Sequence, residues 1–291
     1  MFLNFNTPTP LEQFSFQNIP FLLKRDDLIS CDFSGNKARK LDYYLHNIPD
    51  NIDTIVSYGS IQSNAMYSLA KFASLMGLHF RYYANHIPSY LQENPQGNLL
   101  YALNEGMELI EGYRNIVTKK NELLIKEGIA TKEAYFGIEK LARELLEQVG
   151  EGEYQIFLPS GTGTTALFLS KALQKLGALH FKVYTVACVG SSDYLKDQWQ
   201  ELESDASFFP TIIETKKHYH FGKLYREFYQ IWLELHKETG VEFELLYDPK
   251  AWIAILENRD LFSNLLYIHQ GGVLGNLSML PRYLRKYGEK I

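Results

Sequence analysis

Cysteine is nearly missing from this chain: Cys31 and Cys188 are the two it has. They form no C-x-x-C pair, which excludes a disulfide framework and a cysteine-rich zinc module. Positive charge is not in surplus either. The 29 Lys+Arg residues stand against 34 Asp+Glu, a net charge of −5 over 291 residues. Basic residues gather no further than pairs such as Lys119 with Lys120 and Lys216 with Lys217, so no nucleic-acid partner is expected. No run approaches the ~18 consecutive apolar residues of a membrane span, so no membrane partner is expected. Residues 1–13 lack the basic and then apolar pattern of a secretory signal. A cytoplasmic, soluble protein is the expectation. Repeats and low-complexity stretches are missing as well.

What is present is an ordinary globular composition, 46% hydrophobic and 22% charged, with aromatics high at 14%. Such a chain can bury a large core. Short β-rich runs alternate with longer helical ones. Strands are predicted at 53–58, 80–84, 107–110, 154–158, 181–187 and 264–268. Helices are predicted at 64–78 (ended by Gly77), 97–105, 132–149, 164–176, 223–239 and 249–258. This alternation argues for an α/β fold with parallel sheets flanked by helices. Such folds bind ligands beyond the carboxyl ends of their strands.

Small polar clusters fall at those positions. Residues 159–165 (PSGTGTT) follow a strand and open a helix, so glycine backbone N–H groups, threonine hydroxyls and the helix dipole would converge on an anion. No Gly-Lys-Ser/Thr follows, which excludes a Walker loop. Gly161-x-Gly163-x-x-Ala166 matches dinucleotide spacing, but no acidic residue closes the next strand before Asp193, and a cup for one phosphate fits better. The run Gly59, Ser60, Ile61, Gln62, Ser63, Asn64 offers more donors and acceptors than a helix cap requires, although Ser63 or Asn64 could be that cap. In 34–40 (SGNKARK), Lys37 follows Gly35 and Asn36, with Arg39 and Lys40 close by. Burial and neighbouring cations both lower an amine pKa, as a Schiff-base lysine needs; the alternative is an exposed helix face. His218 and His220 lack the further ligands of a metal site, so no metal is expected. His269, which opens the cluster His269, Gln270, Gly271, Gly272, is read as structural.

Taken in order, these motifs resemble the pyridoxal-phosphate enzymes of the tryptophan-synthase-β type (fold type II), in the branch of 1-aminocyclopropane-1-carboxylate (ACC) deaminase and D-cysteine desulfhydrase. Residues 23–27 (LKRDD) and 34–41 (SGNKARKL) are similar to "KRED…GGNKTRKLEY". Residues 57–64 (SYGSIQSN) resemble "SIGGIQSN", 94–98 (NPQGN) the later "GN" helix start, and 160–165 the phosphate loop. Residues 247–251 (YDPKA) look like "YTGKA" or "YEGKS", and 269–272 (HQGG) like "HTGG" or "HLGG". The similarity runs from about Pro8 into the C-terminal region.

The resemblance implies a two-domain protein, with 1–44 plus 131–291 as the large cofactor-binding domain and 45–130 as a smaller inserted α/β domain. It implies that Lys37 forms the Schiff base and moves the substrate α-proton. Asn64 would bond the cofactor's phenolic oxygen, and Gly161, Thr162, Gly163, Thr164 and Thr165 would hold its phosphate. Ser63 and Gln62 would lie by the substrate carboxylate, and Tyr247 would face the substrate. Asp248, where relatives carry Glu or Thr, would stand near the pyridine nitrogen. Gln270, where they carry Leu or Thr, would be a substrate contact. Phe221 replaces a second active-site tyrosine, which counts against ACC ring opening. The stretch between Glu127 and Ala134 is shorter than in relatives. The expected activity is release of ammonia and a 2-oxo acid from a small amino acid. D-cysteine desulfhydration comes first, ACC deamination second, and a homodimer is expected by resemblance. An NAD(P)-dependent oxidoreductase built on Gly161-x-Gly163-x-x-Ala166 and a catalytically silent cofactor-binding protein are the alternatives from other classes.

Overall fold

The computed structural model describes residues 5–112, 116–150 and 152–288; of the stretch 1–13, read as lacking a secretory-signal pattern, residues 1–4 lie outside the described residues. The described chain opens with strands β1 (Leu11–Phe16) and β2 (Ile19–Lys24) and a short helix α1 (Asn36–Leu41). There follow β3 (Thr54–Gly59), α2 (Asn64–Met76), β4 (His79–Ala84), α3 (Ser89–Glu93) and α4 (Gly97–Asn104). Then come β5 (Glu108–Glu111), β6 (Glu122–Leu124), α5 (Tyr135–Val149), β7 (Tyr154–Ser160) and α6 (Thr164–Lys175). The last part holds β8 (Phe181–Ala187), α7 (Ser192–Leu202), β9 (Thr211–Ile212), α8 (Arg226–Thr239), α9 (Asp248–Glu257), β10 (Leu265–Ile268) and α10 (Asn276–Tyr287).

These strands form a six-stranded sheet in the order β1-β2-β10-β7-β8-β9 and a four-stranded sheet in the order β5-β4-β3-β6. The smaller sheet is parallel throughout. The larger is parallel except for the β1–β2 hairpin at its edge. This is the expected α/β class, with parallel-rich sheets flanked by helices. Central strands read as unbroken apolar runs because both faces are covered. In β7, Phe157 packs beneath α8 and α9 while Ile156 and Leu158 pack beneath α5 and α6; in β10, Leu265 and Tyr267 face one side and Leu266 and Ile268 the other. The core of the smaller sheet also takes in Ile29, Phe33, Ala38, Leu41 and Tyr44 from the segment ahead of β3.

Among the described residues no helix is long and apolar enough to cross a membrane. Helix α2 follows the sequence reading closely. Ser63 caps it by accepting from the N–H groups of Ala65 and Met66 at 3.1 and 3.4 Å, and Gly77 ends it in the left-handed region at φ 69°. The β1–β2 hairpin and α10 carry no such marks. The β1–β2 hairpin turns on Gln17 and Asn18 at φ 45° and 64°, a turn usually signalled by Asn-Gly. Helix α10 continues through Pro281, which breaks the helical sequence pattern. Helix α7 buries only Leu195, Trp199 and Leu202.

Helix α1, which carries Lys37, is anchored by a buried ionic network. Arg39, 2% exposed, donates to Asp26 Oδ1 and Oδ2 at 2.8 and 3.1 Å and to Glu144 Oε2 at 2.9 Å. Lys24 donates to the same Glu144 oxygen at 2.9 Å and to the Thr9 carbonyl at 2.8 Å. Burial opposes ionisation of Glu144, but Arg39 and Lys24 together hold its carboxyl below the usual range. Removing one partner strands the others in a poorly solvated place. Arg39→Met should therefore destabilise the fold by about 3–5 kcal/mol in urea unfolding; a loss under about 1 kcal/mol, the worth of an exposed ion pair, would contradict this role.

Candidate active site

A cavity of about 300 Å³ opens where the ends of β3, β7 and β10 meet the start of α1. It lies within the size range of small-molecule sites. Its wall is assembled by a close backbone approach. A Cβ on Gly35, at φ 45°, would fall 1.9 Å from the Gln270 carbonyl oxygen, so only glycine fits. That carbonyl accepts from the Asn36 N–H at 2.9 Å. The Asn36 side chain then ties three segments together. Its Nδ2 donates to Thr165 Oγ1 at 3.0 Å and to Gln270 Oε1 at 2.6 Å, while its Oδ1 accepts from Lys37 Nζ at 2.8 Å.

The cup at residues 160–165 forms the opposite wall. Gly163, at φ 69°, stands at the N-cap of α6 and has no side chain to satisfy the first-turn N–H groups. Its carbonyl accepts from Trp199 Nε1 at 3.1 Å. Thr162 and Thr164 share a hydroxyl bond of 3.0 Å. The arrangement presents free N–H donors, hydroxyls and a helix N-terminus to one point, as an anion site requires.

Burial governs the titratable groups. It lowers the Lys37 amine to about 8, with the Glu244 charge acting in the opposite direction. Lys40 lies well below its ordinary value for the same reason, with Lys37 adding to the effect, and donates to the Gly128 carbonyl at 2.9 Å. Burial raises Glu244 to about 8, and Asp248 adds to that rise. It raises Asp248 and the Tyr247 hydroxyl too. An uncharged lysine amine at moderate pH is a usable nucleophile and base.

All the residues singled out from sequence line this cavity: Lys37, Gln62, Ser63, Asn64, the loop 161–165, Tyr247, Asp248 and Gln270. The geometry refines several of them. Ser63 Oγ is the α2 cap, and Gln62 Nε2 donates to the Gln96 carbonyl at 3.0 Å. Asn64 Oδ1 accepts from Asn98 Nδ2 at 2.8 Å, which leaves the Asn64 amide N–H groups as donors. Asp248 Oδ2 accepts from the Glu244 N–H at 2.7 Å, and Oδ1 accepts from the Tyr267 hydroxyl at 2.6 Å. Gln270, expected as a substrate contact, lines the cavity with its amide already bonded at both ends. Its Oε1 accepts from Asn36 and its Nε2 donates to the Pro159 carbonyl at 2.6 Å, so both ends of the amide join cavity loops. His269 is fully buried; Gly271 N–H donates to its Nδ1 at 3.0 Å, so Nε2–H donates to the Glu242 carbonyl at 2.8 Å. Phe221 packs against Tyr247 with the rings tilted, centroids 5.3 Å apart and planes at 54°. Among the described residues, no group of three or more His, Cys, Asp or Glu side chains is placed to hold a metal ion.

No family model matches the chain. It is 28% identical over 320 residues to the bifunctional D-cysteine desulfhydrase/ACC deaminase of Arabidopsis thaliana mitochondria, covering 92% of this chain and 77% of that protein. A D-cysteine desulfhydrase of Salmonella paratyphi A is 35% identical over 77 residues, a quarter of this chain (25%) and 24% of that one. A crystal structure of an ACC deaminase homologue superposes with a TM-score of 0.79 at 21% identity, over 95% of this chain and 93% of that one, which fixes the fold. By sequence and by fold the chain is similar to proteins of the ACC deaminase/D-cysteine desulfhydrase family. Enzymes of this family are fold type II proteins that use pyridoxal phosphate.

Family motifs also include residues whose work is structural. Lys250, after Tyr247 and Asp248, is buried and donates to the Ala187 carbonyl at 2.6 Å. Polar and charged cavity residues that the sequence reading did not single out as site residues include Lys40, Asn98, Glu127 and Glu244. Lys40 and Asn98 lie inside quoted motifs and could have been found there. Glu244 precedes Tyr247 by three positions and Glu127 comes from a distant loop, so neither carries a local signal. A Cβ on Gly163 would lie 2.3 Å from Trp199 Nε1, and its φ is positive. Gly163→Ala should destabilise the protein by more than about 1 kcal/mol, read as a lowered melting temperature; an unchanged melting temperature would show the cup to be deformable.

Proposed function

We propose that this chain is a pyridoxal-phosphate-dependent lyase that converts a small amino acid to ammonia and a 2-oxo acid, with D-cysteine desulfhydration as its first activity. The observation that carries this reading is the placing of the Lys37 amine and the anion cup at 161–165 on one cavity of about 300 Å³. The polar surface suits such a ligand. Of six buried side-chain polar atoms without a protein partner among the described residues, Ser34 Oγ, Gln62 Oε1, Asn98 Oδ1 and Glu244 Oε1 belong to residues lining this cavity.

In this reading Gly161, Thr162, Gly163, Thr164 and Thr165 would hold the phosphate, and Lys37 would supply the amine that carries the cofactor. Asn64, oriented by Asn98, would donate to the ring oxygen, and Asp248 would stand on the side of the ring nitrogen. When bound, pyridoxal phosphate supplies an electron sink for the substrate Cα. Lys37 removes the α-proton, which its burial-lowered basicity suits. Ser63 and Gln62 orient the carboxylate, and Tyr247 faces the side chain of the substrate. Loss of the α-proton allows sulfide to leave Cβ, and water completes the products. ACC deamination is the second reading. It is favoured by the carboxylate of Asp248 and opposed by Phe221, which brings no hydroxyl to the cavity. Residues 1–44 with 131–291 would form the cofactor-holding unit, and 45–130 the inserted one; the division of strands between the two sheets supports this.

Lys37→Ala should abolish both turnover and the borohydride-sensitive visible absorption of the lysine-bound cofactor; surviving turnover would refute the assignment. Assay of D- and L-cysteine, D-serine, β-chloro-D-alanine and ACC for ammonia and sulfide should give its highest rate, with sulfide, on D-cysteine. Ammonia from ACC without sulfide from D-cysteine would reverse the order of the two readings. Bound cofactor with no product from any of them would favour a silent binding protein, and bound nicotinamide in place of the visible absorption an oxidoreductase.

A further inference from the structure

Glu244 is a cavity carboxyl to which the family motifs quoted above give no task. It is 2% exposed, and its two oxygens differ sharply. Oε2 accepts from the backbone N–H groups of Leu246 and Tyr247, each at 2.8 Å, in the turn that leads into α9. Oε1 is buried and has no partner in the protein. It lies beside Gly275, where an added Cβ would fall 3.2 Å away, while a Cβ on Gly272 would crowd both Glu244 Cγ at 3.2 Å and Asn64 Nδ2 at 2.7 Å. Two glycines thus clear space for this side chain beside the proposed cofactor contact Asn64. An aspartate could cap the same pair of N–H groups, but it is one methylene shorter. The extra length leaves a second oxygen, buried and unpartnered, that capping does not need, on a residue that lines the cavity.

We propose that Glu244 is the proton partner of Lys37 across the cavity. The pair interconverts between Lys37 ammonium with Glu244 carboxylate and Lys37 amine with Glu244 carboxylic acid. One N–H bond breaks as one O–H bond forms, and the net charge of the pair is unchanged. Lys37 must be an amine to bond a carbonyl carbon and to accept a proton, and it must lose that proton before the next cycle. Glu244 Oε1 gives the proton a place to go without entry of bulk water.

The surroundings agree with this exchange. Burial disfavours both charged forms, so the amine is shifted down and the carboxyl up toward one another, and each charge favours the other. The further titratable groups that act with Glu244 are Asp248, whose charge opposes its ionisation, and Cys188, Tyr247, Tyr267 and Tyr283, which burial keeps neutral. Lys37 is the cation among these groups, and two such coupled sites titrate as a pair.

The role in turnover rests on the reading of Lys37 as the cofactor-bearing lysine, but the pairing itself does not. It is tested in the full-length protein labelled with ¹³C-lysine and freed of cofactor, the Lys37 side-chain resonance being identified by its loss in Lys37→Ala. Lys37 should titrate in two coupled steps in the native protein. In Glu244→Gln, which keeps a carbonyl oxygen for the two capping N–H groups, it should titrate in one step at lower pH, with proton binding about tenfold weaker. Glu244→Asp, which retains the cap but withdraws Oε1, should fall between the two. With the cofactor restored, the pH profile of kcat in Glu244→Gln should lose one limb. An unchanged Lys37 titration in folded Glu244→Gln overturns the proposal; if that variant does not fold, an unchanged titration in Glu244→Asp overturns it. A shifted Lys37 titration in a protein whose Lys37→Ala variant still turns over would refute the functional reading and leave the pairing in place.

Discussion

The contact on which the site depends is the one between Gly35 and the Gln270 carbonyl. It brings the start of α1 against the end of β10, two segments far apart in sequence, at a distance no side chain would permit. The Asn36 N–H bond to that carbonyl fixes the approach. The Asn36 side chain extends the junction to Thr165 and to Lys37. The amine and the anion cup are therefore held in mutual register by a single amide. A shift of α1 would move Lys37 and release Thr165 together.

Helix α1 also shows how one short element carries two electrostatic regimes. Lys37 and Lys40 line the cavity, whereas Arg39 points away into carboxylates. The three- and four-residue spacing of a helix puts 37 and 40 on one face and excludes 39 from it. Arg39 stays charged because Asp26 and Glu144 surround it. Lys37 and Lys40 lack bonded carboxylates and are driven toward neutrality by burial. The ionic side anchors the helix, and the poorly solvated side gains reactivity. Glu244 lines the same cavity, with one oxygen used by the backbone and one buried without a protein partner.

Much of this was legible before any coordinates. Strands β3, β4, β5, β7, β8 and β10, most central helices and the loops at 59–64 and 159–165 follow from hydrophobic pattern, glycines and caps. What escaped had no local mark: a hairpin turning on Gln17 and Asn18, and a helix that runs through Pro281. Within the site, Gln270 read as a substrate contact because it stands in a family motif, yet its amide joins two loops. Lys250 and Arg39 likewise owe their places in the motifs to what they hold together.

By itself the sequence determined the α/β class, the candidate lysine, the anion loop and the order of motifs, because each depends on residue types at short spacing. Only the tertiary structure decided which polar groups were already occupied and which faced the cavity without a partner. Ser63 and Ser34 look alike as letters; one hydroxyl caps α2 and the other has no protein partner. Glu244 is one carboxylate among many in the chain until the fold buries it beside Lys37's cavity, uses one of its oxygens and leaves the other without a protein partner. Desolvation and hydrogen-bond satisfaction depend on neighbours brought from distant segments, so no local pattern records them.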